Sequence, residues 1–421
     1  MLTVNDNNPN GMRIAGITAT EVGGGVSNAM VTLEAPIAEY PLTQLTNDNG
    51  AYAFNNNPMN ADYMVTVVKD DNHTNGVSTL DLVLIQRHIV GFADLDSPYK
   101  VIAADINSDE KVSSIDVVEL RKVILGIQEE FSANTSWRFV DAGQTFADAL
   151  QPWPIDEERE IEDLVANMNI EHFVAVKIGD VNATAEHNVA GTTTEVRSST
   201  PMILEIEERT VTAGEVVEIA INSEEFKTVS GLQATIEFNG MTFSDVSGRA
   251  IDVRASNVGV ISDNVITMSW NTNTAVSTAD EALFVITAIA TADGQLSEMI
   301  SITDRVITPE VYTGESLTIQ PLELSTRDID GITGVNELMQ NEPNPFKTVT
   351  EIKFSLAESG SATMTIMDVT GKVLHTITDE YNAGSNTIKL ERSDVQMASG
   401  VIYYTLESGD YSETMKMIVI D

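Results

Sequence analysis

Residues 105–116 read Asp-Ile-Asn-Ser-Asp-Glu-Lys-Val-Ser-Ser-Ile-Asp. Oxygen-bearing side chains fall at loop positions 1, 3, 5, 9 and 12, as Asp105, Asn107, Asp109, Ser113 and Asp116, and Lys111 at position 7 offers its backbone carbonyl. A hard divalent cation is held by a shell of oxygens, and this is the ligand spacing of a twelve-residue Ca2+ loop. The same frame stands 35 residues earlier, as Asp70, Asn72, Thr74, Gly76, Ser78 and Asp81. Thr74 occupies the position of Asp109, so the first loop has one charge less and is expected to bind more weakly. Position 6 is Asn75 in one loop and Glu110 in the other, so the sharp turn has to be made by a residue with a side chain.

Each loop needs a rigid element to hold its last ligand. Helical apolar spacing covers 79–90 and 114–125, and the two stretches are followed by Gly91 and Gly126, residues suited to a helix C-terminus. Asp81-Leu82-Val83 aligns with Asp116-Val117-Val118, and Gln86-Arg87 with Arg121-Lys122, so the unit is a tandem repeat. A further helix is expected over about 156–168, with Ile161, Leu164, Val165 and Met168 on one face. Asp180, Val181 and Asn182 resemble the start of a third loop, but its twelfth position is Gly191. Elsewhere the chain reads as short strands broken by Gly, Asn, Asp and Pro. Examples are 31–33, 51–54, 63–67, 203–206, 216–221, 232–238, 265–270 and 283–291. Ile352, Phe354 and Leu356 alternate with polar neighbours, the period of a sheet with one buried face. The expected fold is mainly β and multidomain: β-sandwich modules with one small α-helical calcium module.

The paired loops and helices resemble a type I dockerin, an EF-hand-like module that docks on cohesin domains. The resemblance implies a docking surface at loop positions 10 and 11 and two helix positions of each repeat. These are Thr79, Leu80, Gln86 and Arg87 in the first, and Ser114, Ile115, Arg121 and Lys122 in the second. Three of those eight are basic, which implies an acidic partner surface.

The flanks carry further resemblances. Residues 1–69, through 14–17, 26–33 and Asn-Gly-Ala-Tyr-Ala-Phe at 49–54, resemble a carboxypeptidase-regulatory-like or prealbumin-like sandwich. Residues 70–187 then hold the dockerin-like repeats and a companion segment that includes Trp137, Trp153 and Asp180. After a linker at 188–201, residues 202–324 resemble a cohesin-like jelly roll, through Ala213-Gly214-Glu215, 229–238, 266–270 and 283–288. After a second linker at 325–335, residues 336–421 resemble a type A C-terminal sorting domain of type IX secretion. The matching elements are Glu-Pro-Asn-Pro-Phe at 342–346, Asp-Val-Thr-Gly-Lys at 368–372, Gly-Val-Ile-Tyr-Tyr-Thr-Leu at 400–406 and Lys-Met-Ile-Val at 416–419. That resemblance implies the type IX machinery as partner and a secreted or outer-surface location. The dockerin-like repeats imply a cohesin-like partner, in the same chain or in a neighbouring copy. A surface polysaccharide is a further partner expected of such proteins.

Composition narrows the rest. The 421 residues hold 23 Lys+Arg, 64 Asp+Glu and no Cys, a net charge of −41. Disulfides and Cys-ligated metals are excluded, and nucleic-acid binding is disfavoured by the scarcity of cations. The acid is spread over every segment, and the largest net negative charge, −14, falls on 201–326, with 5 basic and 19 acidic residues. No apolar run is long enough to cross a bilayer as a helix. The first residues carry no secretory signal pattern, so the expectation is the C-terminal portion of a longer secreted protein. No HExxH, GxSxG, P-loop or GxGxxG motif occurs, and the five histidines show no ligand pairing. The expected function is a non-catalytic region of a large exported surface protein, adhesin-like, with calcium-stabilised docking. The alternative is the non-catalytic tail of an exported polysaccharide-degrading or peptidase enzyme. Glycan hydrolysis by the chain itself would require paired carboxylates in a cleft of the 202–324 sandwich.

Overall fold

The computed structural model describes residues 11–188, 198–278, 281–328, 336–341, 343–357, 359–382, 384–395, 399–409 and 411–420. Gly191, Glu342 and most of the two expected linkers (189–197 and 329–335) lie outside the described residues.

The N-terminal sandwich opens with β1 Met12–Ala19, β2 Met30–Glu34, β3 Leu42–Leu45, β4 Ala51–Asn57 and β5 Tyr63–Val68. Three helices follow: α1 Thr79–Ile89, α2 Pro98–Ala103 and α3 Ser114–Ile124. The chain then returns as β6 Trp137–Asp141, β7 Glu158–Ile161 and β8 Phe173–Lys177. One sheet has the order β4-β1-β8-β6 and the other β3-β2-β5-β7. The sandwich expected within 1–69 is therefore completed by strands from 137–177, and the helices are an insertion between β5 and β6. The reason lies in the side chains. Trp137, Phe139, Phe173 and Ala175 fill the sandwich core, while Val140, Val176 and Ile178 enter the core formed by the helices. Strands β6 and β8 are buried on both faces, so neither core is complete without them.

The helix expected over 156–168 is not formed. Residues 158–161 are β7 and pair antiparallel with β5. Ile161 and Leu164 are buried as the pattern required, but Val165 is 59% exposed, so the four apolar residues do not share a face. Asp163 turns the backbone at φ 47, outside helical space. Arg159 on β7 bridges Asp141 and Glu171, tying the strand to its neighbours.

The second sandwich contains β9 Met202–Glu208, β10 Thr210–Val211, β11 Val216–Ile221, β12 Val229–Phe238, β13 Met241–Gly248, β14 Val258–Ser262, β15 Val265–Val276 and β16 Phe284–Ala290. It ends with β17 Gly294–Gln295, the short helix α4 Leu296–Met299, and β18 Ile300–Thr303, β19 Glu310–Thr313 and β20 Thr318–Asp328. A large sheet orders β14-β15-β12-β19-β20-β9, with β18 also on β12, and faces the sheet β11-β16-β13. Leu232, Ala234, Ile236 and Phe238 of β12 point into the core between the sheets. The opposite face of the large sheet is polar, with Gln233, Thr235, Thr267 and Ser269, yet all four are buried.

The C-terminal sandwich has β21 Glu337–Leu338, β22 Val349–Leu356, β23 Gly360–Asp368, β24 Val373–Tyr381, β25 Gly384–Glu391, α5 Arg392–Val395, β26 Gly400–Ser408 and β27 Tyr411–Val419. Its sheets order β21-β22-β25 and β24-β23-β26-β27. Ile352, Phe354 and Leu356 face its core, as their alternation predicts.

Strand completion has a direct consequence. A fragment of residues 11–69 is expected to be unfolded and a fragment of 11–188 folded, read from amide dispersion in NMR spectra. A folded 11–69 fragment would contradict the shared role of β6 and β8.

Candidate calcium loops and docking face

Loop two is wound around its own carboxylates. Asp105 Oδ1 accepts the Asp109 N–H at 3.0 Å and Oδ2 the Glu110 N–H at 3.0 Å. Asp116 Oδ1 accepts the Ile106 and Asn107 N–H groups at 2.9 and 3.2 Å, drawing the twelfth position onto the first three. Asn107 Oδ1 accepts the Asp109 N–H at 3.1 Å, and the Asn107 amide donates to Asp109 Oδ2 at 3.2 Å. Ser108 and Glu110 take φ of 58° and 65°, so the turn at position 6 is made by a glutamate in the left-handed region.

The last ligand position has a second duty. Asp116 Oδ2 accepts the Ser113 N–H at 2.8 Å while the Ser113 hydroxyl caps α3, a complete capping box. Ser78 and Asp81 make the same box on α1. Ser-x-x-Asp before an apolar run, a capping pattern legible in the sequence but missed there, coincides with loop positions 9 and 12. Each helix thus fixes its aspartate before any cation arrives.

Burial pushes the Asp105 carboxyl up to about 6, and Asp116 and Asp109 add repulsion. Burial raises Asp116 as well. Among the described residues, no group of three or more His, Asp or Glu side chains forms a metal cluster on its own. A loop of this kind draws much of its shell from amide, hydroxyl and backbone oxygens. The donors of loop two are all hard oxygens on a tightened backbone, and two of its carboxylates are buried and mutually repelling. That donor chemistry fits a calcium ion.

Loop one is different. Its left-handed residues are Asn72 (φ 42) and Gly76 (φ 71), at positions 3 and 7, rather than positions 4 and 6. Asp70 Oδ1 accepts the Ser136 N–H at 2.8 Å and lies 3.1 Å from His73 Nε2. Thr74 donates only to Asn72 Oδ1, at 3.2 Å, on the exposed side. Asp81 is fully buried, and its carboxyl is raised by burial and by Asp180.

The expected docking residues divide into those that meet the second sandwich and those that do not. The Thr79 N–H donates to Gln233 Oε1 at 2.7 Å and its hydroxyl pairs with Ser269 Oγ at 2.6 Å. Leu80 packs with Tyr312, Leu317 and Ile319. Gln86 and Arg121 both bond Asn271, the first accepting from its amide and the second donating to its oxygen. Arg87 donates to Ser230 Oγ at 3.2 Å. Ser114 and Ile115 stay exposed at the far end of α3, and Lys122 pairs with Glu119 of its own helix at 2.6 Å. The acidic partner surface inferred for the basic residues is not what they meet. Arg87 and Arg121 face a neutral hydroxyl and a neutral amide, and burial lowers both guanidinium pKa values.

Residues outside the expected set complete the face. Val83 is fully buried in the Tyr312 cluster. The Leu125 carbonyl accepts the Thr267 hydroxyl at 2.6 Å. Gly259 makes room for that contact, since a Cβ there would lie 2.5 Å from Leu125 O. The signal for Val83 was present as a helical apolar residue, but its pattern is the same for a residue facing its own core.

Residues 68–137 match the dockerin type I domain family, and residues 343–420 match the secretion system C-terminal sorting domain family. No curated protein matches the chain. Among solved structures, the chain is similar to the CaDoc0917–CaCohA2 complex, at 12% identity over 30% of this chain and 99% of that one, with a TM-score of 0.22. It is also similar to the type II cohesin dyad from the adaptor ScaA scaffoldin of Acetivibrio cellulolyticus, at 10% identity over 50% and 89%, with a TM-score of 0.21. A third is the Group B Streptococcus pullulanase SAP, at 10% identity over 50% and 22%, with a TM-score of 0.16. The chain carries a dockerin type I domain and a type IX secretion sorting domain, both non-catalytic modules. Type I dockerins bind calcium and have cohesin partners. The sorting domain indicates export to the cell surface or the extracellular space through the type IX machinery. No described helix is long and apolar enough to cross a membrane.

The state of Asp105 gives loop two a pH signature. Its folded-state pKa, about 6, lies above the ordinary value of 3.8, so the metal-free fold binds the proton more tightly than the unfolded chain does. Metal-free stability from this group is therefore greatest below about 3.8 and is lost as pH rises through about 6. Calcium needs the charged form and acts in the opposite sense. Calcium affinity is expected to fall as pH drops from about 7.5 to about 5, measured by calorimetric titration. An affinity unchanged across that range would place calcium elsewhere than Asp105.

Proposed function

We propose that the chain is the non-catalytic C-terminal region of a large exported surface protein, adhesin-like, in which a calcium-stabilised dockerin module docks on the cohesin-like sandwich of its own chain. The observation that carries this reading is the Thr79–Leu80–Val83 face of α1, set on the polar but buried face of β12, β15 and β19. An isolated sheet surface bearing Gln233, Thr235, Thr267 and Ser269 is water-soluble. Here Gln233 accepts the Thr79 N–H, Ser269 pairs with the Thr79 hydroxyl, Thr267 reaches the end of α3, and Leu80 and Val83 bury against Tyr312.

Calcium in loop two would be held by Asp105, Asn107, Asp109, Asp116 and the Lys111 carbonyl, with Ser113 at position 9. Its charge would offset the mutual repulsion of the buried carboxylates and lock the entry of α3, whose other end meets Thr267 and Asn271. The docked helices are not free to anchor the chain to a separate scaffold, which favours a structural region over the tail of a scaffold-borne enzyme. The same α1 residues cannot serve two sandwiches at once.

Val83→Asp is expected to undock the module while leaving loop two intact. Val83 faces only the sandwich cluster, and a carboxylate there would be buried without a partner at a cost of several kcal/mol. Small-angle scattering of the full chain should then show a larger radius of gyration with calcium affinity unchanged. A radius equal to wild type would remove the docking claim. Chelation should lower the melting temperature of wild type, since a ligand bound only by the folded state stabilises it; an identical melting curve with and without chelator would remove the calcium claim.

A further inference from the structure

Repeat one differs from repeat two in what satisfies its oxygens. In loop two, the donors to Asp105 and Asp116 are N–H groups of residues 106–113, within the loop itself. In loop one, apart from the Ser78 N–H and hydroxyl on Asp81, the donors come from other parts of the chain. Asp70 at position 1 is taken by Ser136 N–H, the Gly76 carbonyl at position 7 by the Thr184 hydroxyl at 3.0 Å, and Asp81 at position 12 by the Val181 N–H at 2.9 Å. The segment that supplies the last two is pressed onto the loop: a Cβ on Gly76 would lie 2.4 Å from the Ala185 nitrogen. Positions 1, 7 and 12 are the points at which a calcium loop closes on its ion.

A cation is nevertheless present. Lys177, at the end of β8, is 4% exposed. Its ammonium donates to the carbonyls of His73, inside loop one, at 3.0 Å and of Ile178 at 3.1 Å, and lies 5.6 Å from the centre of the Phe131 ring. Burial pulls its pKa down to about 8, while Asp180, Asp81, Asp71 and Asp70 act in the opposite sense and favour its charge, so it stays mostly protonated at neutral pH. A buried ammonium without such partners would not be retained.

We propose that the Lys177 ammonium, delivered with the 177–187 segment, is the resident cation of loop one and stands in for calcium there, so that the chain binds one calcium ion, in loop two. The duplicated sequence thus encodes two unlike repeats: one closed by metal and one closed by its own chain, independent of external calcium. The stoichiometry rests on the calcium reading of loop two, whereas the closure of loop one does not.

The test counts calcium on the full chain and removes the cation. Wild type should bind one calcium ion, and the double variant Asp105→Ala/Asp116→Ala none. Calcium retained by that double variant and lost on adding Asp70→Ala would overturn the proposal. In chelator, Lys177→Met should lower the melting temperature of the helical module by about 10 °C, because the buried aspartates lose their counter-charge. Wild-type stability in Lys177→Met would overturn the resident-cation role. A wild type that binds no calcium at all would defeat the reading of loop two, and the Lys177→Met comparison would still decide loop one.

Discussion

The double burial of β6 and β8 is the constraint on which the rest depends. Each strand sends alternate side chains into two different cores, Trp137 and Phe139 to the sandwich and Val140 to the helices. A sandwich built from β1–β5 alone would lack the strand beside β1 and the strand beside β5. A helical module alone would lack the sheet against which Leu120 and Val123 pack. Joining them fixes the orientation of α1 and α3 with no dependence on a linker, and those helices then present one face to the second sandwich. The path from the N-terminal core to the β12 sheet is therefore continuous packing, close enough at Gly179 that a Cβ would lie 2.7 Å from Leu120.

The two aspartates that end the loops show how one residue can serve folding and binding together. Asp81 and Asp116 are each held by a capping box, and each is fully buried. A buried carboxylate needs compensating donors or a cation. Asp116 draws its donors from the loop, where the proposed calcium ion would meet the remaining demand. Asp81 draws on Ser78 of its own loop and on Val181, and its charge favours that of the buried Lys177 nearby. The difference arises outside the repeat, in the companion segment that returns across loop one.

Much of this was legible in the sequence where periodicity is strict. The 35-residue offset identified the loops, the helices and their starts, and alternation at 352–356 identified a core strand. The failures share a cause: they involve residues whose role is set by a distant segment. Ile161 and Leu164 are as apolar as a helix face requires, but the free edge of β5 offers a ladder that outweighs local preference. Lys177 reads as a strand-end lysine until the fold closes it over loop one. Gln233, Ser269 and Asn271 read as the solvated face of a sheet, and nothing local distinguishes a polar face that meets water from one that meets a helix.

The charge of −41 acquires a sharper meaning at the docking face. Two acidic modules repel, and the repulsion weakens as salt screens it. An interface made of ion pairs would weaken under the same screening, so its attraction and the background repulsion would fade together. The interface observed uses amides, hydroxyls and an apolar cluster around Tyr312, which salt affects little. Even Arg87 and Arg121 are met by neutral oxygens, so their charges soften the repulsion without requiring a partner carboxylate. Salt then weakens the net repulsion between the acidic modules while leaving the neutral and apolar contacts, so the proposed docking is expected to tighten rather than loosen as ionic strength rises.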